Sequence, residues 1–68
     1  MIDTKRLKGE IVANGYDMKT MAKELGITPK TMYTRMQKGV FGSDEIAIMI
    51  RLLKIQDPIS IFFTDKVT

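Results

Sequence analysis

Glycine and proline punctuate this chain of 68 residues and divide it into short segments. Both prolines follow a residue that can cap a helix, in Thr28-Pro29 and Asp57-Pro58. Proline suits the first helical position because its missing N–H would have no partner there. Glycine suits the left-handed position just after a helix ends, and we expect each of the five glycines at a helix start or end. Strand-like alternation never continues beyond a few residues, so the sequence predicts an all-α fold.

Capping residues and apolar spacing predict five short helices in a single domain that covers residues 1–68. Asp3, Asp17, Thr28 and Ser43 are the expected N-caps of the first four helices, because their side-chain oxygens can accept from free backbone N–H groups. Phe41, in the loop before the fourth helix, is expected to fill the core. The predicted helical ranges are 3–14, 18–25, 29–38, 44–54 and 58–63.

Composition removes several classes of function. The chain has no cysteine and no histidine, so it lacks disulfides, thiolate metal sites and the commonest general base. We therefore expect no enzyme, no metal, no cofactor and no small-molecule ligand. No apolar run approaches the roughly 18 residues of a membrane span, and the first residues lack the apolar core of a secretion signal. A cytoplasmic protein without membrane contact is expected.

Basic residues are concentrated in the first part of the chain. Residues 1–38 contain eight basic and four acidic residues, whereas residues 39–68 contain three basic and four acidic ones. The stretch 28–38 has three basic residues and no acidic one. This distribution favours a polyanion as partner and places its binding surface on the third predicted helix.

The centre of the chain combines a small residue with a glycine turn. Ala22 is small enough for two helices to cross closely, and Gly26 can adopt the positive φ that a tight turn between them needs. Leu25 and Ile27 flank the glycine and can tie both helices to the core. With the Thr28-Pro29 start directly after it, residues 18–37 resemble the helix-turn-helix of the phage repressor and Cro family.

The resemblance extends to Gly-Val-Phe-Gly-Ser-Asp-Glu-Ile, Leu-Leu-Lys-Ile-Gln-Asp-Pro-Ile and Ile-Phe-Phe further along the chain. These segments resemble the ending of short phage-encoded regulators in prophages of Gram-positive bacteria. The resemblance implies a one-domain regulator of the bacterial host cell without a protease-like C-terminal domain. Two positions depart from the family. Arg35 stands where an apolar residue is usual, and Met18 stands where many relatives carry a phosphate-binding glutamine.

The resemblance implies that helix 29–38 is the recognition helix and enters the major groove of double-stranded DNA. Side chains that can hydrogen-bond base edges are the candidates for base contacts: Thr28, Lys30, Thr31, Tyr33 and Thr34. The candidates for phosphate contacts are Lys19, Arg35, Gln37 and Lys38. The simpler alternative is that this lysine-rich face is only solvated surface, with Tyr33 packed sideways on a neighbouring helix.

The fourth predicted helix is apolar on two sides, which favours a homodimer. A small monomer normally buries one apolar stripe of a surface helix. The expected interface residues are Leu52, Ile55, Ile59, Phe62 and Phe63. A two-fold dimer would place two recognition helices about 34 Å apart on a palindromic operator. The alternative is that the C-terminal segment folds back and covers the second stripe itself.

The leading function hypothesis is a sequence-specific DNA-binding transcriptional regulator of Cro or repressor type. The competing hypothesis is a protein-interaction module of the same fold, such as an anti-repressor or an antitoxin-like partner, with weak DNA binding. The basic third helix favours DNA, and the surplus of apolar residues near the C-terminus is compatible with either function.

Overall fold

The computed structural model describes residues 2–63, which form five α-helices and no strand. The helices are α1 (Thr4–Ala13), α2 (Met18–Leu25), α3 (Pro29–Lys38), α4 (Ser43–Leu52) and α5 (Pro58–Phe62). The prediction of an all-α fold with five helices is confirmed. The bounds of α2 and α3 coincide with the expected ones, whereas α4 begins one residue earlier and ends two residues earlier than expected. None of the described helices is long and apolar enough to cross a bilayer.

Side-chain caps begin the first three helices. A carboxylate oxygen of Asp3 accepts from the backbone N–H of Arg6 at 3.2 Å. Asp17 Oδ1 accepts from the backbone N–H of Thr20 at 2.8 Å, and Thr20 Oγ1 accepts in return from the backbone N–H of Asp17. Thr28 Oγ1 caps α3 by accepting from the backbone N–H of Thr31. Each bond satisfies a donor that a helix start leaves free.

The start of α4 differs from the prediction, because Gly42 and not Ser43 is its N-cap. Ser43 is already the first helical residue. The backbone N–H of Gly42 donates to Glu45 Oε1 at 2.9 Å. The prediction was wrong because a glutamate three residues into the helix reaches back to the cap, so no hydroxyl is needed at the cap itself.

Four helices end in one recurring geometry. A residue with positive φ follows each of them, and it is a glycine after α1, α2 and α3 but Lys54 after α4, with φ 53°. The next residue then donates its backbone N–H to the carbonyl five positions back, as Ile55 does to Ile50 at 3.1 Å. Gly9 departs from the expected pattern of glycines because it lies inside α1.

The C-terminal segment folds back onto α1. The backbone N–H of Asp3 donates to the carbonyl of Ile61 at 2.7 Å, and Arg6 Nη1 donates to Ser60 Oγ at 3.0 Å. The core of the described chain contains residues from all five helices, from the loops between them and from the segment before α1: Ile2, Leu7, Ile11, Met21, Ala22, Leu25, Met32, Phe41, Met49, Leu53, Ile55, Ile61 and Phe62. Phe41 fills the core as expected.

Two of the five residues assigned to a dimer interface belong to this core. Ile55 is 9% exposed and Phe62 is 3% exposed. The structure instead buries these two within the chain. Ile55 does not continue a stripe on α4, because α4 ends at Leu52 and the left-handed Lys54 turns the chain. Phe62 lies on α5, which packs against α1. Leu52 is half-buried, while Ile59 and Phe63 remain exposed.

Candidate nucleic-acid interface

Helices α2 and α3 form the predicted helix-turn-helix. Met21 and Ala22 on α2 are fully buried, and α2 packs against α3. Gly26 adopts φ 73° in the turn, which glycine tolerates without a Cβ clash. Thr28 caps α3 and Pro29 occupies its first turn. The local sequence thus fixes where α3 starts and how it leaves the turn.

Most of α3 lies at the surface. Met32 is its one fully buried residue, and Met36 is half-buried on the same side. With 100° between successive residues, the exposed side chains fall on the opposite side of the helix. We call this surface the α3 face, and it consists of Lys30, Tyr33, Thr34, Gln37 and Lys38, preceded by the exposed Thr28. Thr31 is half-buried at its edge.

Three threonine hydroxyls of this region already have partners within the chain. Thr28 Oγ1 accepts from the backbone N–H of Thr31 at 3.1 Å and donates to Thr31 Oγ1 at 3.0 Å. Thr34 Oγ1 donates to the carbonyl of Lys30 at 3.0 Å. Thr28 and Thr34 therefore offer only acceptor lone pairs and methyl groups to a ligand, whereas Thr31 keeps its hydroxyl proton.

Arg35 does not share the α3 face. Its Nη1 donates to Glu45 Oε1 on α4 at 2.8 Å, and its side chain is 35% exposed. The sequence placed Arg35 among the phosphate contacts because its charge was expected to point outward. Its guanidinium instead lies against Glu45, since position 35 is close to the buried side of α3 and α4 provides an opposite charge there.

Lysines line two depressions of this surface, one on α3 and one between α2 and the start of α3. Lys30, Lys38 and the exposed Val40 line an open depression of about 400 Å³ together with Thr31, Thr34 and Arg35. On the α2 side, Lys19 and Lys23 line a second depression with Thr20, Ile27 and Pro29. Sequence reasoning missed Lys23 and Val40 as members of these surfaces. The spacing of four residues between Lys19 and Lys23 would have indicated that they share one side of α2.

Asp17 is an acidic residue at the start of α2, two positions before Lys19. The backbone N–H of Thr20, helped by the Thr20 hydroxyl, holds the pKa of Asp17 below its ordinary value. Desolvation opposes this shift, and Lys19 adds to it. Within residues 2–63, no three acidic side chains cluster in a way that could hold a metal ion.

Comparison with known proteins supports the helix-turn-helix. A family model described as bacterial regulatory protein, Fis family, matches residues 11–39, which run from the second half of α1 to the glycine after α3. No curated protein and no solved structure matches the chain. The chain is therefore an all-helical protein with a helix-turn-helix. Over this unit it is similar to a family of bacterial DNA-binding regulators, and the match does not extend to the phage repressor and Cro type.

Proposed function

We propose that the chain is a sequence-specific, double-stranded DNA-binding transcription regulator of Cro or repressor type that acts in a phage or prophage context. The observation that carries this proposal is the α3 face. It is polar and exposed, and the helix that bears it has basic residues and no acidic one. A helix that only faces solvent has little reason to lack acidic residues. A surface that binds phosphates does have a reason, because acidic side chains would repel them.

In the proposed complex, α3 lies in the major groove and its first turns meet the base edges. Lys30 is exposed in the first turn and can donate to guanine O6 and N7. Tyr33 can offer its hydroxyl, and Thr28, Thr31 and Thr34 can place methyl groups against thymine. Lys19, Gln37 and Lys38 are the proposed phosphate contacts, because Lys19 lies on the neighbouring α2 and the other two lie at the C-terminal end of the α3 face.

A homodimer on a palindromic operator is the second part of the proposal. Ile59 is 61% exposed and Phe63 is 50% exposed, and they lie one turn apart at the end of the described chain. With the half-buried Leu52, they are the remaining candidates for a two-fold contact. Such a contact would reduce the apolar surface that each protomer leaves in water.

The competing proposal is a protein-interaction module with weak DNA binding. The same exposed apolar side chains, Ile59 on α5 and Phe63 directly after it, support this proposal, because a partner protein could cover them instead of a second copy. The two proposals differ in the ligand of α3 and are therefore separated by DNA binding.

The test begins with selection of a preferred duplex from a random pool. Fluorescence anisotropy then compares that duplex with a scrambled one across a salt series. A regulator should prefer the selected duplex by about a thousandfold or more, with a steep salt dependence. Weak binding that ignores sequence would reject sequence-specific regulation and favour the interaction module.

Lys30→Ala is the sharpest variant for the same assay. It should weaken specific binding by about 1–3 kcal/mol and relax the preference at one base pair. Lys8→Ala on α1 is the matched control, because Lys8 is exposed and lies outside α2, the turn and α3. Equal losses from the two variants would contradict base reading by Lys30.

A further inference from the structure

Few apolar contacts set the orientation of α3. Met32 is its one fully buried residue, whereas α2 buries Met21, Ala22 and Leu25. Met36 adds a half-buried contact on the same side of α3. With its two apolar anchors on one side, the helix is weakly restrained against rotation about its axis. A rotation of about 10° moves a side-chain tip that lies about 6 Å from the axis by about 1 Å. Such a shift is enough to spoil a hydrogen bond to a base edge.

An ion pair between α3 and α4 supplies the missing restraint. Glu45 Oε1 accepts from Arg35 Nη1 at 2.8 Å and from the backbone N–H of Gly42 at 2.9 Å. The side chain of Glu45 is only 14% exposed, so the pair is shielded from solvent on the α4 side. Charge-assisted bonds in such surroundings are stronger than exposed ion pairs.

The backbone of Arg35 is tied to the same loop. Its carbonyl accepts from the backbone N–H of Gly39 at 2.8 Å and from that of Val40 at 3.2 Å. Arg35 therefore holds the beginning of the loop through its carbonyl, and Glu45 holds the end of the loop through Gly42. We call the pair Arg35 and Glu45, with the amide of Gly42, the clasp.

We infer that Arg35 and Glu45 are positioning residues for base reading and that Arg35 adds nothing to the count of phosphate contacts. The clasp fixes the rotation of α3, so that Lys30 and its neighbours meet the base edges in one orientation. A phosphate that drew the guanidinium of Arg35 away from Glu45 would leave this mostly buried carboxylate without its charged partner, which opposes the exchange. This inference rests on the proposed function, because it names how the α3 face is held for DNA.

The test measures the affinity for the selected duplex and for a scrambled duplex in three clasp variants. Arg35→Met and Glu45→Ala should each lose about tenfold in affinity for the selected duplex, which corresponds to the loss of one partly buried charged hydrogen bond. Affinity for scrambled DNA and the salt slope should stay at their wild-type values. Glu45→Gln should lose less than Glu45→Ala, because its amide oxygen can still accept from Gly42 and Arg35.

Lys38→Ala is the matched control, since Lys38 lies on the α3 face and is a proposed phosphate contact. It should weaken both duplexes alike and lower the salt slope by about one. Thermal unfolding curves of every variant identify a temperature at which all of them are folded, and the affinities are measured at that temperature. Glu45→Gln keeps the acceptor, so the comparison stands even if Glu45→Ala does not fold.

Two results would overturn the inference. If Arg35→Met behaves as Lys38→Ala does, Arg35 is a phosphate contact. If Glu45→Ala strengthens binding to every sequence and raises the salt slope, Glu45 only masks the charge of Arg35. Failure of the proposed function is seen separately, because wild-type protein would then show no preference for the selected duplex before any variant is compared.

Discussion

The helix-turn-helix unit (residues 17–39) and the C-terminal unit (residues 42–63) are held by different kinds of interaction. In the first, side-chain caps begin both helices and glycines end them. In the second, neither N-cap residue caps its helix with its own side chain, the side chain of Glu45 caps α4 from its third position, and Lys54 takes the left-handed position where glycine stands elsewhere. Local sequence signals thus define the first unit, while burial in the core defines the second.

The two units also differ in what they present to solvent and what they supply to the core. The helix-turn-helix unit presents a polar, basic helix to solvent, and α3 contributes one fully buried residue. The C-terminal unit supplies Met49, Leu53, Ile55, Ile61 and Phe62 to the core. The unit proposed to meet DNA therefore depends on a core that it shares with the C-terminal unit, because a surface helix with few apolar side chains cannot hold itself in place.

The largest expected effect comes from the end of the C-terminal unit. Phe62→Ala should destabilise the fold by about 3–5 kcal/mol, because Phe62 is almost completely buried. A domain of this size has a free energy of unfolding of about 3–10 kcal/mol, so the helix-turn-helix should lose most of its folded population as well. Thermal unfolding followed by circular dichroism measures this.

Phe63→Ala is the control for that prediction, since the neighbouring phenylalanine is half exposed. It should change the stability of the monomer by less than about 1 kcal/mol. Its effect should appear in sedimentation, as a shift of a dimer towards monomer. A helix-turn-helix that stays folded in Phe62→Ala would show that the two units are independent.

The next effect concerns how helices end in the two units. Gly26→Ala should cost about 1 kcal/mol, because φ 73° is unfavourable for a residue with a Cβ although no atom lies within 4 Å of that position. Lys54→Gly should have the opposite sign and stabilise the protein by up to about 1 kcal/mol, since it removes the same strain from the C-terminal unit. Urea unfolding measures the change in the free energy of unfolding for both variants. If both changes had the same sign, the two helix ends would not share one backbone geometry.

The smallest effect is the pH dependence of the cap on α2. The pKa of Asp17 in the folded protein lies below its ordinary value of 3.8, because Thr20 donates to the carboxylate. The charged cap therefore stabilises the fold above that ordinary value, and its contribution is lost as the pH falls through the lower folded value. Asp17→Asn should reduce the fall in Tm between pH 7 and pH 3. An unchanged fall would rule out the contribution of this carboxylate.

Much of the helix-turn-helix follows from neighbouring residues. Asp17, Gly26, Thr28 and Gly39 act within a few positions along the chain, so their roles can be predicted without knowledge of the fold. The exposed residues of α3 follow from the helical period in the same way. The bounds of α2 and α3 and the composition of the α3 face are therefore the best-predicted parts of the molecule.

The contacts that the sequence did not predict depend on partners outside the residue's own helix. Arg35, a predicted phosphate contact, pairs with Glu45 on the next helix. Ile55 and Phe62 were assigned to a dimer, but a turn at a lysine sends them back into the core. A lysine carries no signal for a left-handed turn, so no local pattern marks this position.

The sequence alone determined the all-helical architecture, the helix-turn-helix and the basic character of α3, because caps, glycine turns and charge are local properties. Only the tertiary structure decided which side chains of α3 remain free and which apolar residues remain at the surface. Ion pairs and core contacts join residues that are distant in sequence, and the packing of the whole chain determines which of them meet.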